Sequence, residues 1–116
     1  MARVTSEFWV SAYLRRVRLQ GGFPVLRKRG AAEAGAIAIV IARGDRLSAL
    51  YLPAPQSEFG EGESLDRKFA SAFPEGFVEE YRVEEKLTRE IRFDPDVWIV
   101  EVEDRDGRSF LEPVQD

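Results

Sequence analysis

The stretch "GAIAIVIA", residues 35–42, constrains the fold more than any other part of the chain. Read as a strand, it presents Ile37, Ile39 and Ile41 on one face and Ala36, Ala38, Val40 and Ala42 on the other. Neither face carries a polar group. A strand wetted on one side alternates apolar with polar residues, so a strand that is apolar on both sides predicts cover on both. The alanine face also leaves room for a helix to come close. The apolar run has nine residues between Glu33 and Arg43, well short of the roughly 20 that a membrane-spanning helix requires.

Two other stretches have the periodicity of the helices that this strand needs. Thr5 or Ser6 is placed to cap a first helix running to about Leu19, with Glu7 near its positive end. Trp9, Val10, Tyr13, Leu14 and Val17 form its apolar stripe. Val83, Leu87 and Ile91 mark a second helix at steps of four, with Glu85 and Arg89 set to pair on its wet side.

Between and beyond the helices the pattern is that of strands. Gly21-Gly22 ends the first helix, and Phe23 to Arg29 reads as a strand in which Pro24 donates no ladder hydrogen bond, so an edge position is expected. Gly44-Asp45 supplies a hairpin turn into Leu47 to Leu52. The segment "PAPQSEFGEGES", residues 53–64, has no period and is expected to be a loop, mobile at Gly60 to Glu63. Phe69, Ser71 and Phe73 alternate as a strand would, although Leu65, Phe69 and Phe73 also fit a helix; the strand is preferred. Val97 to Glu103 is a further strand, turned by Asp106-Gly107 into a short partner, Arg108 to Leu111. At 116 residues the expected fold is one α+β domain of order α-β-β-β-β-α-β-β. Its sheet is mixed and mostly antiparallel, with one helix on each face.

The chain has no cysteine and no histidine, which excludes thiol and imidazole catalysis and the usual zinc sites. Glu7 interrupts the amino-terminal stretch where a signal peptide would be apolar, and Arg15, Arg16 and Arg18 follow, so a cytoplasmic location is expected. Residues 1–50 carry nine Arg or Lys and three acids, residues 51–116 eight and eighteen, so the halves stand at +6 and −10. Mutual neutralisation within one fold is the favoured consequence, and a basic face for a polyanion is the alternative.

The segments "GGF" at 21–23, "EAGAI" at 33–37, "PAPQS" at 53–57 and above all "FDPDVW" at 93–98 resemble the family of small alphaproteobacterial proteins known as domain of unknown function 1491. The resemblance covers nearly the whole chain. It implies a stand-alone bacterial domain of mixed helix and sheet, and it brings no activity, cofactor or catalytic residue with it.

Three groups of residues are candidates for a site. Asp94, Asp96, Glu101 and Glu103 are oxygen donors for a divalent cation, the basis of a metal-dependent hydrolase on the acidic stretch 94–106. Asp94 and Asp96 stand at the other end of a strand from Glu103, about 20 Å away, so turn-forming aspartates and a Glu101 paired with arginine are the preferred interpretation. Arg15 and Arg18 on the first helix, with Arg27 and Arg29 on the next strand, are candidates for polyanion or partner contacts. No aromatic stacking pattern or phosphate loop accompanies them. Tyr51, Gln56, Ser57 and Phe59 are candidates for a loop recognition surface, and Ser57 has no histidine to activate it. No cofactor is indicated. The favoured expectation is a non-enzymatic binding or adaptor domain acting through a protein partner or as a homodimer, ahead of nucleic-acid association and metal-dependent hydrolysis.

Overall fold

A computed structural model describes residues 4–55 and 67–111. In chain order the elements are α1 (Ser6–Leu19), β1 (Phe23–Lys28), β2 (Ile37–Ala42), β3 (Leu47–Pro53), β4 (Phe69–Ser71), β5 (Val78–Glu79), α2 (Glu80–Phe93) and β6 (Trp98–Glu103). The strands form one sheet of order β1-β6-β2-β3-β4, with β5 pairing to β3. Every pairing is antiparallel except that of β2 with β6.

All six residues of β2 are buried, as its two apolar faces require. Ile37, Ile39 and Ile41 pack with Trp98, Val100 and Val102 of β6 beneath Val10, Tyr13 and Val17 of α1. Ala38 and Val40 pack with Leu50, Val97 and Ile99 beneath Val83 and Leu87 of α2. The sheet is therefore the middle of three layers, with the smaller side chains under α2.

Local chemistry sets the ends of these elements. Thr5 caps α1 by accepting a hydrogen bond from the Phe8 amide (3.1 Å). The next two free amides, Ser6 and Glu7, donate to Glu33 and Ala32 carbonyls, and the buried Ser6 hydroxyl donates to the Gly35 carbonyl (2.6 Å). The loop at 32–35, which leads into and includes the start of "EAGAI", thus satisfies amides that a helix start leaves without partners. That loop also lies against the entry to β6, where a β-carbon on Gly30 or Gly35 would collide with the Asp96 carbonyl. Pro24 sits in β1, an edge strand as expected.

Three local features differ from the sequence-based expectation. Arg108 to Leu111 forms no strand, because β6 already has β1 on one side and β2 on the other and offers no free edge. The Asp104–Gly107 turn instead sends the chain under α1, where the Tyr13 hydroxyl donates to the Ser109 carbonyl (2.6 Å) and Phe110 enters the core. β5 is an added two-residue strand directly ahead of α2. On α2 the i,i+4 ion pair is Lys86 with Glu90 (3.7 Å) rather than Glu85 with Arg89. The strand at 69–71 forms as preferred. Most of the expected loop, including Gly60 to Glu63 and the candidates Gln56, Ser57 and Phe59, lies outside the described residues.

Candidate functional site

The four candidate cations are divided between the two faces of the sheet. Arg27 points to the α2 side, where its guanidinium donates to both carboxylate oxygens of Glu84 (2.9 and 3.0 Å) and to Glu101 (3.0 Å). The hydrogen bond from Arg27 holds the Glu84 carboxyl below its ordinary range, and Glu84 in turn pushes Arg27 up. Arg29, beyond a bulge between Leu26 and Lys28, turns to the start of α1, pairing with Glu7 (3.3 Å) and lying over the Trp98 ring. Arg15 and Arg18 are exposed near the other end of α1, where basic residues complement the helix dipole. Glu7 and Arg18 are roughly 16 Å apart along the helix axis at the α-helical rise. One phosphate group cannot reach all four arginines.

The acidic candidates are divided as well. Asp94 caps the end of α2 and its carboxylate accepts from the Asp96 amide (3.1 Å), so both belong to the turn into β6. Lys28 fastens that turn, its ammonium donating to the Pro95 (2.6 Å) and Val97 (3.0 Å) carbonyls. Glu101 is half-buried and held by Arg27, while Glu103 is exposed at the far end of the strand. Among the described residues no three potential metal-ligating side chains come together.

Tyr51 of β3 is half-buried against the α1-side core. It lies near Tyr13, whose phenol is pushed well above the ordinary range, chiefly by burial. Trp9 stacks on Tyr13 (5.1 Å between centroids) and meets Phe69 at 5.3 Å. These rings fill the gap between α1 and the β3–β4 side of the sheet.

The structure also brings together residues that the sequence-based candidates left out. Phe23 and Val25 of β1 stand opposite Glu103 and Glu101 in the β1–β6 register, so all four project from the α2 side of the sheet. They form a corner that α2 leaves open, with Phe23 70% and Val25 55% exposed. Arg27 and Glu84 border it. One cation against Glu84, Glu101 and Glu103 leaves the corner at a formal −2. The signal in the sequence was the alternation of Phe23, Val25 and Arg27 on a proline-containing strand, but which side those residues face depends on a register that only β6 supplies.

Comparison with known proteins shows the same fold across the whole chain. A solution structure of protein Atu0922 from A. tumefaciens is 40% identical, with a TM-score of 0.80 over 99% of this chain and 98% of that one. A crystal structure of a DUF1491 family protein from Caulobacter crescentus is 32% identical, with a TM-score of 0.78 over 98% of this chain and all of that one. An NMR structure of a DUF1491 family protein from the same organism gives 0.76 at 32% identity over the full length of both chains. No curated protein matches. The family described as "Protein of unknown function (DUF1491)" matches residues 4–112, and the chain belongs to that family.

Proposed function

We propose that this chain is a bacterial, cytoplasmic binding domain rather than an enzyme, and that it engages a protein through the open corner of its sheet. The carrying observation is the adjacent exposure of Phe23 and Val25 on an edge strand. Phe8, Leu19, Tyr81 and Phe93 are also exposed, one near each end of the two helices, as surface apolar residues commonly are. Covering a large apolar side chain fully recovers about 1.5–3 kcal/mol, so the corner is the part of the described surface with most to gain from a partner. Arg27, Glu84 and Glu101 at its border neutralise one another in part and hold α2 to β1.

The test compares proteins retained from a native lysate by the immobilised wild type and by Phe23→Ser, with light scattering on both. The reading expects an identifiable protein, or a second copy of the chain, that the wild type holds and the variant releases. Identical retention and identical mass for the two would contradict it.

A further inference from the structure

The corner's charge indicates what kind of partner fits it, an inference that rests on the binding reading above. Its two apolar side chains sit beside three carboxylates and one guanidinium, and among the described residues Glu103 has no ion-pair partner. Two copies meeting through this patch around a two-fold axis would set −2 against −2 around a small apolar centre. Like charge therefore disfavours a second copy. Strand addition is also opposed, since β1 carries three features that blunt a sheet edge: Pro24, the bulge between Leu26 and Lys28, and the adjacent cations Arg27 and Lys28. A segment docking by its side chains meets neither obstacle. We infer that the Phe23–Val25–Glu103 corner receives a cationic, apolar segment of a protein partner, whose Lys or Arg meets Glu103 and whose apolar side chain covers Phe23 and Val25.

Steering between the negative corner and a positive segment makes such binding sensitive to salt. The probe is a short fluorescein-labelled peptide alternating Leu and Lys, compared with its Leu–Glu counterpart by fluorescence anisotropy. The Leu–Lys peptide is expected to bind and the Leu–Glu peptide to fail. Glu103→Lys is expected to weaken binding by roughly tenfold, and Phe23→Ser by a similar factor. Glu85→Lys, which removes an exposed acid of α2 with no ion-pair partner among the described residues, makes the same change in net charge and is expected to weaken binding less than about twofold.

Equal binding of the two peptides, binding of neither, or equal loss from Glu103→Lys and Glu85→Lys would each overturn the inference. The parent reading fails separately. If Phe23→Ser releases the retained protein and Glu103→Lys does not, the corner binds a partner but not a cationic one. If neither substitution changes retention, both readings fall.

Discussion

The two faces of the sheet are secured by different means. On the α1 side large isoleucines and rings are held in place by directional bonds: Ser6 to the Gly35 carbonyl, Tyr13 to the Ser109 carbonyl, and the Trp98 indole to the Ala31 carbonyl (2.7 Å). On the α2 side smaller residues meet Val83 and Leu87 without comparable buried polar anchors among the described residues, and ion pairs stand at the rim. α1 lies against β1, whereas α2 is joined to β1 by the Glu84–Arg27 pair. The difference locates the open corner. A helix seated on small side chains and tied to the edge strand by one ion pair at its rim covers the middle of its face, and the end of the edge strand beyond that pair stays bare.

Core substitutions probe this contrast most strongly. Trp98→Ala is expected to cost about 3–5 kcal/mol in urea unfolding, because it opens a cavity and removes the donor to Ala31. Leu87→Ala under α2 is expected to cost about 2–5 kcal/mol and to leave no polar group without a partner. If the α2 face depends on small side chains, Ala38→Leu should cost about 1–3 kcal/mol by overpacking. Ile39→Leu on the opposite face, which conserves volume, should stay under about 1.5 kcal/mol. Reversal of that order would show that α2 has slack and that α1 has none.

Tyr13→Phe removes one directional bond of the α1 side and is expected to cost about 1 kcal/mol, with faster amide exchange at Phe110 and Leu111. The rim is weaker still. Arg27 and Glu84 are partly exposed, so Arg27→Ala should cost no more than about 1 kcal/mol, fading with salt. The depressed Glu84 carboxyl fixes the direction of the pH effect. The pair's contribution is present above the ordinary value of 4.5 and is lost as pH falls through that value and the lower folded one. The urea midpoint of the wild type should therefore decline more steeply with acid than that of Arg27→Ala.

Much of the architecture was legible because it is local or binary. The doubly apolar β2 announced cover on both sides, the stripe from Trp9 to Val17 announced α1, and Pro24 placed β1 at an edge. The pairing of Glu101 with an arginine followed from the cost of a half-buried carboxylate. Non-local information was what failed. Asp106-Gly107 makes a sound turn, but whether a strand can return beside β6 depends on neighbours far away in sequence, and both sides were taken. Arg27 and Arg29 look like one cluster in the chain, yet a bulge sends one towards α2 and the other towards α1. The corner at Phe23 and Val25 was hidden for the same reason, since its facing is set by the register with Glu103 and Glu101.

The most direct test separates binding from stability in one protein. The double variant Phe23→Ser, Val25→Ser changes only side chains that face solvent at the corner, so its urea unfolding free energy should stay within about 0.5 kcal/mol of wild type, while its affinity for the Leu–Lys peptide is lost. A fall in stability as large as that of a core substitution, or undiminished affinity, would contradict the assignment of this corner to binding.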